Sequence, residues 1–267
     1  MINLQLPLKW PGGKQKLLSQ YKKFIPSSVL NYHEPFFGGG AMFFSGLFAT
    51  KNSFLSDANQ DLINTYICIR DNLHDLIHLL MDHQEKHSEE YYYLIRESEP
   101  RDSLKRAARF IYLNKTCFNG LYRVNSKGKF NVPMGRYSNP NICNKSALLD
   151  ASSKLSDCEL SVRDFREIKP LPGDFVFLDP PYYPISKSSN FTAYTSEGFG
   201  KEDHFDLKKL MSRMSGQGVL VMQSNSDCDF IRNLYSEFKI HEITAPRCIN
   251  GNPAKRNSIN EALITSY

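Results

Sequence analysis

Phe175-Val176-Phe177-Leu178-Asp179-Pro180-Pro181-Tyr182 decides the reading of this chain: four apolar residues end in an acid, two prolines and an aromatic. A continuous apolar run of that length predicts a strand buried on both faces, as in a parallel sheet. Proline has no amide hydrogen with which to continue a ladder, so Asp179 is placed where the strand runs out. In open parallel sheets the ligand crevice lies at the carboxyl ends of the strands. A carboxylate there, followed by a rigid turn and an aromatic face, suits the grip of a flat ring that carries an amine. Asp before Pro is also a common helix N-cap. The second proline and the aromatic weigh against that alternative.

Working outward, the chain on both sides alternates strands and helices. Before the central strand, a helix near 145–155 leads to a strand at Glu159-Leu160-Ser161-Val162, with Arg163-Asp164-Phe165 at its end. After it, a Ser- and Asn-rich loop runs to about 197, then a helix through His204, Leu207 and Leu210, then the strand Gly218-Val219-Leu220-Val221-Met222. A helix near 227–236, a strand at 238–243 and a final strand Glu261-Ala262-Leu263-Ile264-Thr265 complete the chain. Near the start, Val29-Leu30-Asn31-Tyr32-His33-Glu34 reads as a strand, followed by Pro35-Phe36-Phe37-Gly38-Gly39-Gly40 and a helix from Ala41 to about Ala49. Strand, glycine turn and helix form the nucleotide-binding arrangement, because glycine permits close backbone approach to a ligand. Phe43 stands where the third glycine of a dinucleotide fingerprint belongs, which disfavours nicotinamide cofactors. A second short strand, Ser53-Phe54-Leu55-Ser56, ends in Asp57, nineteen positions after Gly38. An acid there suits ribose hydroxyls, with an N-cap to the helix near Gln60 as the competing reading.

The pattern predicts an α/β fold, a doubly wound mixed sheet, interrupted by an inserted helical and β-hairpin region. The boundaries are 1–57 and 151–267 for the sheet domain and 58–150 for the insertion. Helical apolar periodicity fills 59–114, and an alternating run about Ser126-Lys127-Gly128 predicts a hairpin near 118–137. Residues 101–150 hold ten Lys/Arg against two Asp/Glu, whereas 71–100 hold two against eight. Such a basic block is either the footprint of a polyanion or a solvated mixed surface. The hairpin tips the balance toward a polyanion, because Arg123, Asn125, Lys127, Lys129, Asn131, Arg136 and Tyr137 interleave basic, amide and aromatic side chains. Arg and Asn read guanine and adenine edges, and a two-stranded ribbon fits the major groove.

Lys9-Trp10-Pro11-Gly12-Gly13-Lys14 opens an amphipathic helix stopped by Pro26. Its glycines allow backbone amides to approach an anion, with Lys14 as a fixed charge. The Walker spacing is absent, so it is no P-loop. Trp10, the single tryptophan, also reads as plain core packing. His74/His78 and His83/His87 lie four apart on helices, but no partnering ligand motif joins them, and no metal is expected. The six cysteines are scattered without a Cys-x-x-Cys, suggesting neither a zinc site nor disulfides. No apolar stretch approaches bilayer length, so no membrane partner is expected and the reading is soluble and cytoplasmic.

Taken together and in order, these segments resemble the Dam-type adenine-N6 DNA methyltransferases (D12 class, group alpha). The likeness runs through Lys9–Lys14, Pro35–Gly40, Asp57, Leu113-Asn114, Asn119-Gly120-Leu121 with Arg123, Phe130–Pro133, Gly135-Arg136-Tyr137 and Asp179–Tyr182. Asn190-Phe191-Thr192-Ala193-Tyr194 and Arg247-Cys248-Ile249-Asn250-Gly251 complete it. The resemblance implies a Rossmann-like methyltransferase fold with S-adenosyl-L-methionine held by Trp10, Lys14, Pro35, Phe36, Gly38, Gly40, Asp57 and Asp179, and Asp164-Phe165 near its adenine. It implies that the insertion is a target-recognition domain reading GATC in double-stranded DNA. Arg123 then matches the principal guanine reader, flanked by Leu121, while Lys9, Pro133, Arg136 and Tyr137 match other base or backbone contacts. Phe118 stands where the family often has Tyr, which keeps stacking and removes a hydroxyl.

The expected chemistry follows from the opening stretch. Asp179 and the Pro180 carbonyl accept hydrogen bonds from adenine's exocyclic amine and localise its lone pair, while Pro181 stiffens the turn and Tyr182 stacks on the ring. The base leaves the duplex to reach them, and transfer is direct, without a catalytic cysteine. A cytosine-N4 enzyme shares this grip but usually carries Ser in place of Asp179. A glutamine methylase usually carries Asn there, and a DNA-binding protein without activity would have a broken donor site. The expected assembly is a monomer or a transient association on DNA.

Overall fold

Phe175 and Phe177 point to one face of a central sheet and Val176 and Leu178 to the other, and each pair anchors a separate buried cluster. The computed structural model describes residues 4–185, 199–245 and 259–267. Among them the strands are β1 (Asn31–Glu34), β2 (Asn52–Asp57), β3 (Cys158–Val162), β4 (Phe175–Leu178), β5 (Leu220–Ser226), β6 (Lys239–Ala245) and β7 (Ile259–Thr265). Their order across the sheet is β3-β2-β1-β4-β5-β7-β6. The first five lie parallel, and β7 runs antiparallel to both β5 and β6. The sheet is therefore mixed and wound on both faces, as the sequence predicts.

The helices are α1 (Leu18–Tyr21), α2 (Ala41–Phe44), α3 (Gln60–Asp71), α4 (Leu73–Glu85), α5 (Glu89–Glu97), α6 (Ser103–Thr116), α7 (Lys145–Leu155), α8 (Lys201–Gly216) and α9 (Asp229–Leu234). Short polar residues start four of them: Asn59, Ser88, Asp102 and Asn144 each accept a hydrogen bond from the amide three residues on. Helices α3 to α7 bury Leu62, Tyr66, Leu76, Tyr92, Leu113 and Leu148 in the same cluster as Phe175 and Phe177. The opposite face is covered by Leu207 and Met211 of α8 and Ile231 of α9. No helix among the described residues is long and apolar enough to cross a membrane.

Two local expectations fail. The predicted helix before Pro26 is broken into a 3-10 turn at Lys14–Lys16, the single turn α1 and a second 3-10 turn at Lys22–Phe24. So short a segment sums little dipole, which removes the helix-dipole basis for anion binding at Gly12-Gly13. The hairpin near 118–137 forms without a continuous ladder. Only isolated antiparallel bridges remain, Cys117 with Met134 and Val124 with Phe130. Between them a 3-10 turn at Phe118–Gly120 takes Asn119 to φ 54° and Gly120 to φ 63°, and Pro133 offers no amide hydrogen. The Asn190–Tyr194 and Arg247–Gly251 segments lie outside the described residues.

The chain leaves β1 for β2 and β3 on one side, then returns to β4 and β5 on the other. The point where it reverses lies between β1 and β4, where the crevice of an open parallel sheet is expected. The opposite edge is sealed: Asp174 accepts from Asn31 Nδ2 at 2.8 Å and faces His33 Nε2 at 2.9 Å.

Candidate active site

The carboxyl ends of β3, β2, β1 and β4 put Asp164, Asp57, Phe36 and Asp179 along one edge of the sheet. Asp179 is the first residue past β4, because Pro180 and Pro181 cannot extend the ladder. Its carboxylate is held from two sides: Ser224 Oγ donates to Oδ1 at 2.6 Å, and Lys14 Nζ lies 2.8 Å from the same oxygen. The Lys14 side chain is 5% exposed and that of Asp179 is 21% exposed. Lys14 also donates to the Gly12 carbonyl and lies 4.6 Å from the centre of the Tyr182 ring. Lys14 thus faces Asp179.

Tyr182 donates from its hydroxyl to Glu261 Oε2 at 2.6 Å. Burial pushes the Glu261 carboxyl above its ordinary range, opposed by Lys14. Burial also raises the Tyr182 phenol, with Tyr21 and Asp179 adding to it. Next to this group the fully buried Tyr21 hydroxyl has no hydrogen-bond partner among the described residues.

The strand β5 contributes residues that the sequence reading missed. That reading ended the strand at Met222, whereas it continues through Gln223-Ser224-Asn225-Ser226, all buried. Asn225 Oδ1 accepts from the Tyr183 amide at 3.1 Å, and Ser226 Oγ donates to the Tyr183 carbonyl at 2.6 Å. With Ser224 on Asp179, three consecutive side chains of β5 clamp the turn after β4. The available signal was a run of short polar residues continuing an apolar strand, polar where it meets a polar loop.

The glycine turn after β1 is pinned by Asp57. Asp57 accepts from the Gly38 amide at 3.0 Å and from the Asn59 amide at 2.9 Å. Burial nonetheless raises the Asp57 carboxyl, against hydrogen bonding from the Asn59, Gly38 and Ala58 amides. The helix cap proper is Asn59, so Asp57 is not the N-cap of α3. Gly38 and Gly40 take φ 48° and 64°. A Cβ at Gly38 would lie 2.7 Å from the Trp10 indole, and one at Gly40 would lie 2.7 Å from the Phe37 ring. The close approaches at this turn are thus made by Trp10 and Phe37. Trp10 in turn stacks on Tyr122 at 5.8 Å between centres and on Phe110 at 6.5 Å, joining the turn to the insertion. Pro35 is buried, and half-buried Phe36 stacks on Phe165 at 5.2 Å. Asp164 accepts from the Arg166 amide at 2.9 Å and lies 3.1 Å from its guanidinium, which also pairs with Asp203 and Asp206.

The residues expected from the resemblance to contact DNA lie on the 121–137 segment and at Lys9. Arg123 is exposed but braced: Nε donates to Asn131 Oδ1 at 2.7 Å and Nη2 to the Asn131 carbonyl at 3.2 Å. Asn125 Oδ1 accepts from the amides of Lys127 and Lys129 at 2.9 and 3.0 Å, shaping the loop tip. Lys9 Nζ sits 4.1 Å from the Tyr137 ring centre and donates to the Lys115 carbonyl at 3.2 Å. Burial and the Lys9 charge lower Lys115 to about 8. Pro133 and Arg136 are exposed, and Leu121 is half-buried against the core. His83 lies on α4 but His87 falls in the turn between α4 and α5, so this pair does not share a helix; they pair with the hydroxyls of Tyr91 and Tyr112 at 2.8 Å each.

Residues 10–249 match the family model for D12 class N6 adenine-specific DNA methyltransferase. The chain is 41% identical over 277 residues to a Type II methyltransferase, M1.LlaDCHI, of Lactococcus lactis subsp. cremoris, spanning 100% of this chain and 96% of that one. It is 38% identical to the Type II methyltransferase M.MjaIII of Methanocaldococcus jannaschii, spanning 97% and 98%. It is 32% identical to the DNA adenine methylase of Escherichia coli strain K12, spanning 96% and 93%.

Proposed function

Because this chain belongs to the D12 class N6 adenine-specific DNA methyltransferases, we propose that it methylates the N6 amine of a flipped-out adenine in GATC, using S-adenosyl-L-methionine. The observation that carries the reading is the Asp179 carboxylate, fixed at the end of β4 by Ser224 at 2.6 Å and followed by two prolines. Adenine's exocyclic nitrogen is a poor nucleophile because its lone pair is delocalised into the ring. Asp179 and the Pro180 carbonyl each accept one of its N–H groups, which localises the lone pair and aims it. Pro181 fixes the turn, and the Tyr182 face receives the ring. Extrusion of the base costs a few kcal/mol of stacking, which contacts in the pocket offset.

The donor set at the sheet edge suits the methyl donor. Asp57 has lone pairs left for a ribose diol after its two amide contacts. Phe36 and Phe165 offer a flat apolar stack for a purine, and Asp164 is the acceptor beside it. Asp179 and Lys14 carry charges that complement an amino-acid zwitterion. The turn with Pro35, Gly38 and Gly40, backed by Trp10, is the wall between these groups. When bound, S-adenosylmethionine supplies an electrophilic methyl group.

For sequence choice, Asn131 uses up Arg123 Nε and one Nη2 hydrogen, leaving the outer pair of N–H groups for a guanine O6/N7 edge. In this reading Leu121, Pro133, Arg136, Tyr137 and Lys9 supply further base or backbone contacts, and Asn125 holds the loop tip. Residues 58–150 are in this reading the recognition domain. Plasmid produced in a methylase-free host carrying this gene tests the assignment. Blockage of a nuclease sensitive to N6-methylation at GATC supports it, and full cleavage overturns the assigned site.

A further inference from the structure

Glu261 lies beyond residues 10–249, which the family model matches, on the antiparallel strand β7, opposite Ser226 and Ile243. Because β7 runs against its neighbours, its first residues arrive at the edge where the parallel strands end. Its carboxylate there accepts from the Tyr182 hydroxyl at 2.6 Å, the length of a charge-assisted bond. Lys14 Nζ lies over one face of that ring, 4.6 Å from its centre. Pro180 and Pro181 set the backbone before it, and the Tyr183 peptide after it is held by Asn225 and Ser226. The side-chain torsions of Tyr182 itself are tied through its hydroxyl to Glu261.

We propose that Glu261 is the positioning residue for Tyr182, holding the phenol so that its face lies beside the Asp179 carboxylate where the target base is received. This inference rests on the reading of Asp179–Tyr182 as the adenine pocket. Three observations favour a role in positioning over one in packing. Glu261 stands on a strand whose next residues, Ala262, Leu263 and Ile264, are all buried apolar, so a carboxylate at its entry needs a polar partner. Its neighbours in the site are Lys14, Asp179, Tyr182 and Tyr21, and among them it is Tyr182 that hydrogen-bonds it. Lys14 spans the same group, over the Tyr182 ring at 4.6 Å and against Asp179 at 2.8 Å, so the ring and the carboxylate share one boundary. A stacking face that swings on its torsions misplaces the amine relative to Asp179, and a shift of about 1 Å costs on the order of 10²-fold in rate.

The test is a double-substitution cycle on single-turnover methylation of a GATC duplex, with the KM for the methyl donor and the thermal midpoint measured alongside. Glu261→Ala lowers the single-turnover rate by roughly 10- to 100-fold while the donor KM holds. Tyr182→Phe, which keeps the face and loses the hydroxyl, lowers it equally, and the double variant is no slower than either. Glu261→Gln, which keeps an acceptor oxygen, recovers most of the loss. Should Glu261→Ala not fold, Glu261→Leu fills the volume without an acceptor and takes its place. Multiplying losses in the double variant, an unaffected Glu261→Ala, or a Gln variant as slow as Ala would each overturn the inference. Wild-type protein that transfers no methyl group to the duplex would instead overturn the proposed function on which it rests.

Discussion

Lys14 and Asp179 form a partly buried ion pair of 2.8 Å between strand-end carboxylate and ammonium. The ammonium contacts Oδ1 and lies over the ring of Tyr182. A cation is therefore already held where an exocyclic amine is proposed to bind, and Ser224 supplies a neutral donor to the same oxygen. Removing one member of such a pair leaves an uncompensated charge, which costs more than the pair contributes. Lys14→Met is expected to lower unfolding free energy by roughly 2–4 kcal/mol, and Asp179→Asn in the same background to recover much of it. Urea unfolding of the four proteins checks this. Simple additivity of the two substitutions would show that the pair is not coupled.

Asp179→Ala is expected to lower methyl transfer by at least about 10²–10³-fold; the chain still folds and binds DNA, at a stability lowered by the unpaired Lys14. Ser224→Ala removes one hydrogen bond to the same carboxylate and is expected to cost on the order of tenfold. Single-turnover rates with circular dichroism and a DNA-binding titration measure both. Near-normal turnover by Asp179→Ala would sink the mechanism.

Arg123→Ala is expected to lose guanine discrimination by about 1–3 kcal/mol at one position of the site. Asn131→Ala should move the same preference in the same direction by less, since it frees the fork without removing it. Rates on duplexes with each single-base change read this out. Equal weakening on every sequence would reduce Arg123 to a phosphate contact.

His204 is 1% exposed among the rings of Tyr183, Phe199 and Phe230, and burial lowers its pKa to about 4. An unfolded histidine titrates near about 6.5, so between the two values the unfolded chain binds the extra proton. The stabilisation is therefore complete above about pH 6.5 and is lost as pH falls toward 4, amounting to roughly 3 kcal/mol at most. Burial also lowers His33 and His83, so the wild-type profile sums several groups. Urea midpoints of wild type and His204→Phe between pH 7 and 4.5 isolate one of them. The variant should lose part of the acid slope, and an unchanged slope would contradict a neutral buried His204.

The central strand was legible because its signal is local: Phe175–Leu178 is apolar on both faces, and the two prolines fix its end to the residue. The glycine turn and Asp57 were legible for the same reason. The polar tail of β5 was not, because Gln223–Ser226 become strand only through pairing with Leu178 on one side and β7 on the other. The helix after Lys14 carries a helical apolar pattern, yet Leu17, Leu18 and Tyr21 are buried by tertiary packing that breaks it into single turns. The ladder of the hairpin yields to Asn119, Gly120 and Pro133. Glu261 has no sequence signal, since its meaning comes from a tyrosine 79 positions away.

The most direct test of the account is the identity of the modified base. Duplex DNA containing GATC, incubated with the protein and S-adenosylmethionine and digested to nucleosides, is resolved by mass spectrometry. N6-methyldeoxyadenosine is the expected product, its yield abolished by Asp179→Ala. N4-methyldeoxycytidine, or no methylated nucleoside from folded, DNA-binding wild-type protein, would contradict it.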